Sequence, residues 1–250
     1  MAEPLPHPWQ RLDFVAETGS TNADLLARAA AGEDIDGVVL ATTSQTAGRG
    51  RHGRTWAAPP GAQLAVSAGI AAGAVPTEAW GWVPLLTGVA VVDAVHEVTG
   101  VRAGLKWPND VLVGTRKLAG ILAEVSNPGP VIVVGVGVNL SFTAEQAPDP
   151  NAVSLSMLGA TADPQVLLRR LLTRLGERIA EWRAGGERLR ADYTARSLTL
   201  GTEVRALLPG DRQLTGTARA VDEAGRLIID TADGAVTVSA ADITHLRPAG

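Results

Sequence analysis

Apolar positions along the chain change period several times, and each change marks an element. From Ser20 the chain runs Ser-Thr-Asn-Ala-Asp and continues Leu25-Leu26-Ala27-Arg28-Ala29-Ala30. A hydroxyl at the cap accepts from the free N–H groups of a first helical turn, and Asp24 suits the helix dipole. A helix is predicted there, stopping at Gly32. Residues 38–41 and 64–70 are short apolar runs of the kind that buried strands show. Residues 78–98 are almost continuously apolar and predict a long core helix ended by Gly100. Residues 117–125 and 131–140 read as strands flanked by turn residues. Asp163-Pro164 caps and starts a second long helix. In it Leu168, Leu171, Leu172, Leu175, Ile179 and Trp182 recur at i, i+3, i+4 and i+7. Arg169, Arg170, Arg174 and Arg178 fall mostly between them. With Glu177 and Glu181 interleaved, they predict a solvated face rather than a nucleic-acid surface.

After Leu200-Gly201 the pattern becomes one of short strands, at 202–208, 214–221, 226–230 and 235–238. Turns at 209–211, 222–225 and 232–234 separate them. Strands this short and evenly spaced predict a small β-barrel. The chain therefore divides near residue 200, into an α+β domain over 1–199 and a barrel over 200–250.

Composition narrows the function. The 250 residues are 46% apolar, enough for a sizeable core, and carry a net charge of −4. That charge gives no global attraction to nucleic acid or to an anionic membrane. The absence of cysteine excludes disulfides and thiolate zinc sites and fits a reducing cytosol. Residues 1–9 lack the basic and apolar regions of a signal peptide. The longest apolar candidate, 80–95, contains Pro84 and Asp93, so a soluble, cytoplasmic protein is expected. Of 22 basic residues only two are lysines, Lys106 and Lys117, both within 105–120. Where nearly every positive position is a guanidinium, a retained ammonium points to a need for a compact, mobile charge. A single structural ion pair would also explain it.

Two segments carry candidate chemistry. The first runs from Gln45 to Trp56 and holds Gly48, Gly50 and Gly53 among Arg49, Arg51, His52 and Arg54. Glycines let backbone approach a ligand, and like charges so close call for an anion to complete the site. The loop comes near a Walker A pattern, with Arg54 where lysine belongs. That reading fails because Trp56-Ala57-Ala58-Pro59-Pro60-Gly61 cannot continue as the required helix. An RNA-binding Arg-Gly segment is disfavoured because the loop is unrepeated and lies between two buried strands. The second segment is the strand with Gly135 and Gly137. Two residues apart, they share a face and leave either a groove for a flat ligand or room for close packing. It is no dinucleotide fingerprint, since Leu140 holds the third glycine position.

Together these pieces resemble the biotin protein ligases. The resemblance rests on Thr18-Gly19-Ser20-Thr21-Asn22, Gln45 with the segment from Gly48 to Gly53, Lys106-Trp107-Pro108-Asn109-Asp110, Arg116-Lys117-Leu118-Ala119-Gly120, and Gly135-Val136-Gly137-Val138-Asn139. They occur in that family's order, over roughly residues 12–247, and look most like the monofunctional actinobacterial form. The resemblance implies a class II synthetase-like core, a mixed sheet packed by helices, with an SH3-like barrel after it. It implies activation of biotin by ATP with Mg²⁺ to biotinyl-5′-AMP, then transfer to a lysine of a biotin carboxyl carrier domain. The carrier would belong to an acyl-CoA or pyruvate carboxylase, and the enzyme would be a monomer or weak homodimer.

By the same resemblance, Ser20, Thr21, Asn22, Gln45, Gly48, Arg49, Gly50 and Arg51 would surround biotin. Gly135 and Gly137 would floor its groove, with Gly120 and Lys117 at the carboxylate end. Arg51, Arg54, Trp56, Asn109 and Asn139 would hold the nucleotide, Trp56 stacking on adenine. Lys117, Arg51 and Arg49 would be catalytic, since an anion attacking an α-phosphorus needs dense positive charge and fixed positions. Asp110 is the candidate for the base that frees the acceptor amine. No room is left before residue 20 for a helix-turn-helix, so no operator binding is expected. Ala65 stands where some relatives place a ring-covering aromatic, which leaves the arginine-glycine loop to fold down as a shield. A lipoate or octanoate ligase and an arginine-loop nucleic-acid module are the rival readings. A biotin acceptor is not, because Met1 and Met157 are remote from both lysines.

Overall fold

The computed structural model describes residues 4–127, 129–208, 212–239 and 242–245. In chain order the first unit comprises β1 (Arg11–Phe14), α1 (Thr21–Ala30), β2 (Val38–Thr42), β3 (Gln63–Ala71), α2 (Trp82–Thr99), β4 (Gly104–Lys106), β5 (Asp110–Val113), β6 (Arg116–Val125), β7 (Val131–Asn139), α3 (Pro164–Arg183) and α4 (Glu187–Arg196). Its seven strands form one mixed sheet, ordered β1-β2-β3-β7-β6-β5-β4. β1 pairs parallel with β2 and every other pair is antiparallel.

Helices α2 and α3 cover one face of this sheet and α1 part of the other, so its central strands are apolar over most of their length. Val39, Ala41, Val134, Val136 and Val138 face the main core with α2 and α3. Val38, Leu40 and Val133 face the other way and pack on Leu25 and Ala29 of α1. Gly135 and Gly137 continue the Val133 side. α1 is capped as its sequence predicts, with Ser20 Oγ accepting from the Ala23 N–H. α2 starts later than its apolar run. Residues 77–81 form a 3₁₀ turn and the α-helix begins at Trp82. Pro84 explains this, because a residue without N–H is tolerated only in a helix's first turn. Residues 77–99 are long and apolar enough to cross a membrane, yet two-thirds of the most apolar window is buried against the protein's own core.

Arg178 corrects the solvated-face expectation for α3. Its side chain is 9% exposed and pairs with Asp93 of α2 (2.7 Å), Glu181 (2.8 Å) and Asp192 of α4 (2.6 Å). Arg170 is exposed as expected. α4, which supplies Asp192, has no apolar stripe and was missed. Burial alone would lower the Arg178 pKa, but hydrogen bonds to Asp93, Glu181 and Asp192 outweigh it and raise it. Burial alone would raise the Asp192 pKa, and the bond to Arg178 with the charges of Arg178 and Arg196 brings it below the usual value. Arg178→Ala removes the buried guanidinium that three carboxylates share, leaving Asp93 to Arg196, Glu181 to the exposed Arg188 and Asp192 to both, and should cost about 3 kcal/mol by urea denaturation. A lowered carboxylate pKa means stability fully present above the unfolded value of about 3.9 and lost as pH falls through the folded one. The wild-type urea midpoint should therefore drop below about pH 4, and drop less in Asp192→Asn.

The second unit holds β8 (Glu203–Leu208), β9 (Arg212–Val221), β10 (Leu227–Thr231), β11 (Gly234–Val238) and β12 (Asp242–His245). They form an antiparallel sheet ordered β11-β10-β9-β8-β12. No pairing between β11 and β12 occurs among the described residues. The predicted turn at 209–211 lies outside the described residues, and β12 was not foreseen. The turn from Asp222 to Gly225 docks this unit on the first. The Trp82 indole N–H donates to the Asp222 carbonyl and that of Trp107 to the Gly225 carbonyl, each at 3.0 Å. A Cβ on Gly81 would lie 2.2 Å from the Ala224 carbonyl oxygen, so glycine is required for this approach.

Candidate active site

A cleft of about 840 Å³ opens on the α1 side of the large sheet. Its floor follows from strand register. Gly135 of β7 lies opposite Ser67 of β3, Gly137 opposite Ala65, and Asn139 opposite Gln63. Gly120 of β6 lies beside Gly137. On this face three adjacent strands carry small or polar residues where a core would carry valine or leucine. The absent side chains are used. A Cβ on Gly135 would meet Asn22 Oδ1 at 2.2 Å, and one on Gly137 would meet the Trp56 ring at 2.4 Å.

The arginine-glycine loop folds back on itself to deliver Trp56. The Trp56 N–H donates to the Gly48 carbonyl (2.9 Å) and the Gly50 N–H to the Arg54 carbonyl (2.7 Å). Gly48 sits so close to the Trp56 carbonyl that its own Cβ would be 2.4 Å away. His52 and Gly53 turn the tip with positive φ. Trp56 then lies on Gly137 and Gly120, with its indole N–H on Gln63 Oε1 at 2.7 Å. The loop thus covers the floor with an aromatic from outside the sheet, while Ala65 stays small beneath it.

Charge gathers along one wall. Lys117 Nζ pairs with Asp110 Oδ1 at 2.6 Å and lies 5.6 Å from the centre of the Trp56 ring. Arg51 donates to Asn109 Oδ1 at 3.2 Å, and Asn109 Nδ2 is held by the Ile121 carbonyl. Lys106, Arg49 and Arg54 line the same cleft. Asn139 spends its N–H groups on the Lys117 and Val153 carbonyls, and among the described residues its buried Oδ1 has no hydrogen-bond partner. Gln63 Nε2 is likewise unpartnered. At the opposite end, Gln45 Oε1 accepts from both N–H and hydroxyl of Thr21, tying the loop's root to the start of α1. Leu207 and Ile243 of the second unit complete the wall.

Of the residues that the sequence assigns to biotin, nucleotide or catalysis, all line this cleft except Gly48, which stands behind it holding the loop's return; His52, Gly53 and Ala65 lie outside the lining too. Sequence reasoning missed Ser67, Gln63 and Glu124. The first two had a signal, since each is a polar position inside an otherwise apolar strand. Among the described residues no three His, Cys, Asp or Glu side chains gather as a metal site.

Residues 19–140 match the profile of the Biotin/lipoate A/B protein ligase family, and residues 199–246 that of the Biotin protein ligase C terminal domain. A biotin--[acetyl-CoA-carboxylase] ligase of Mycobacterium tuberculosis is 53% identical, over 96% of this chain and 90% of that protein. The chain belongs to the biotin protein ligase family. Its likeness extends to a ligase of the same description from Paracoccus denitrificans, 34% identical over 92% of this chain and 98% of that one. Among solved structures, a biotin protein ligase of Aquifex aeolicus in complex with biotin and ATP superposes with a TM-score of 0.82. It is 27% identical and matches over 96% of this ligase and all of that chain.

Proposed function

We propose that this ligase joins biotin to ATP in the described cleft and passes the biotinyl group to a carrier lysine of a biotin-dependent carboxylase. In the first step a biotin carboxylate oxygen bonds to the α-phosphorus and the bond to pyrophosphate breaks, giving biotinyl-5′-AMP. In the second, a neutral lysine amine attacks the biotinyl carbonyl, AMP leaves with the bonding electrons, and the amine's proton passes to a base. The carrier belongs to an acetyl-CoA or related acyl-CoA carboxylase, or to pyruvate carboxylase.

The observation that carries this reading is one cleft with two chemically distinct ends. One end is neutral, with Ser20, Thr21, Asn22 and Gln45 suited to the urea-like ring of biotin. The other is cationic, with Lys117 and Arg51 suited to the phosphates, and Arg49 and Arg54 along the loop between. Gly120 lines the cleft beside Lys117, toward the carboxylate end. Positive charge fixed beforehand around an α-phosphate stabilises the pentavalent transition state without reorganising at the moment of reaction. A ligand lying flat on Gly137 would displace the Trp56 indole, whereas a base stacked on the indole's open face would not, which favours adenine on Trp56. Asn139 lines this end of the cleft as well, and Asn109 fixes Arg51.

Mg²⁺ fits as a companion of the triphosphate, neutralising charge on the departing pyrophosphate. Asp110 and Asp149 are the carboxylates lining the cleft that would meet it. Asp110 is engaged by Lys117, so it would serve as base for the acceptor amine only after that pair opens.

The test is mass spectrometry of an isolated carrier domain incubated with the ligase, MgATP and either biotin, lipoate or octanoate. The proposal requires a mass increase of one biotinyl group with biotin alone. An increase with lipoate or octanoate instead would replace it with the rival ligase reading.

A further inference from the structure

Gly135 lies against Asn22, and the groups that hold Asn22 reach beyond the cleft lining. Its Nδ2 donates to the Leu122 carbonyl (3.2 Å) and to Glu124 Oε2 (3.0 Å). Its Oδ1 lies 2.6 Å from the Ser67 hydroxyl, which is also 2.7 Å from Thr21 Oγ1. Thr21 in turn holds Gln45. A continuous polar relay therefore runs Glu124–Asn22–Ser67–Thr21–Gln45 across the neutral end of the cleft. The other carboxylate oxygen, Glu124 Oε1, faces Arg49 at 3.9 Å. Gln45 is the root of the arginine-glycine loop and Arg49 lies inside it, so one carboxylate on β6 reaches the loop by two routes.

From this geometry we infer that Glu124 is a positioning residue that sets the acid-binding end of the cleft through Asn22 and Arg49. Glu124 is the only charged member of the relay and accepts at its terminus. Without it Asn22 Nδ2 keeps only its longer bond to the Leu122 carbonyl, so the amide is held less firmly. Its acceptor for Ser67 is then less fixed, and the Thr21–Gln45 contact loses part of its backing. A hydrogen bond to a charged group is also the strongest link in such a chain. Glu124 does not reach the phosphate end, where Arg51 and Lys117 are held by Asn109 and Asp110 instead. Its influence should fall on the acid and spare ATP.

The inference rests on the proposed ligase reading, and the experiment separates the two. Biotin-dependent exchange of labelled pyrophosphate into ATP is measured for wild type, Glu124→Ala, Glu124→Gln and Ser67→Ala, alongside thermal melting. In Glu124→Ala the KM for biotin should rise about tenfold, the range expected for one hydrogen bond to a charged group, with KM for ATP and kcat within about twofold. Glu124→Gln keeps an acceptor for Asn22 and should recover most of the loss. Ser67→Ala cuts the relay at its buried centre and should raise the same constant. A biotin KM unchanged in Glu124→Ala, or a joint rise for biotin and ATP, overturns the inference. Absence of biotin-dependent exchange in the wild type overturns the ligase reading itself.

Discussion

Lys117→Arg should lower the rate of adenylate formation by about 10²–10³-fold, the usual cost of removing one preorganised donor to a developing charge. Charge is conserved in this change, so the loss must come from shape. The Lys117 side chain shares the space over Gly120 with Trp56. A Cβ on Gly120 would lie 3.0 Å from Lys117 Cε and 3.0 Å from the indole, which shows how closely the three approach. The ammonium ends 2.6 Å from Asp110. A planar guanidinium is wider and cannot rotate its donors independently, so it must push Trp56 off the floor or withdraw from the cleft. Neighbouring Arg116 cannot substitute, because adjacent strand residues point to opposite faces. Arg28→Lys is the matched control. Arg28 pairs with Asp13 at 2.7 Å, away from the cleft, and its exchange should leave activity within about twofold, as surface ion pairs contribute little. Pyrophosphate exchange measured on both variants decides it. Near wild-type activity in Lys117→Arg would mean that charge alone suffices.

Gly137→Ala should cost about 10²-fold in the same assay, the penalty for displacing reacting groups by roughly 1 Å. The new methyl would sit 2.4 Å from Trp56 Cε2, well inside contact distance. β7 cannot yield, because Gly137 is paired on both sides, with Ala65 and with Gly120. The indole must therefore lift, breaking its bond to Gln63 and shifting the loop that carries Arg51 and Arg54. Since Trp56 is only half-buried, the fold tolerates this and the melting temperature should change little. Full activity in a folded Gly137→Ala protein would remove Trp56 and its floor from the mechanism.

Elements with strong local signals were legible in the chain. The Ser20 cap, the Asp163-Pro164 start, the apolar run of α2 and the strands β3, β6 and β7 each carry their pattern within one short window. The elements missed lack such a pattern. β1 and the β4–β5 hairpin are three or four residues each, and α4 buries only Leu189 and Tyr193. Arg178 was misjudged because its spacing on α3 is that of a flanking position. Only the docking of α2 and α4 surrounds it with carboxylates.

Most of the glycines and cations that line the cleft are legible in the chain, because glycines, clustered arginines and two retained lysines are chemical statements that need no fold. The sequence by itself also determined the family, through five motifs in order. The tertiary structure alone decided who holds whom. Arg51 meets Asn109 across 58 residues, and Asn22 meets Glu124 across 102. Such pairings depend on strand register, where a slip of one residue turns every side chain to the opposite face. For the same reason Gly135 and Gly137 could be read as absent side chains, but not as seats for Asn22 and Trp56. Register is set by the packing of the whole sheet, so no local window of sequence contains it.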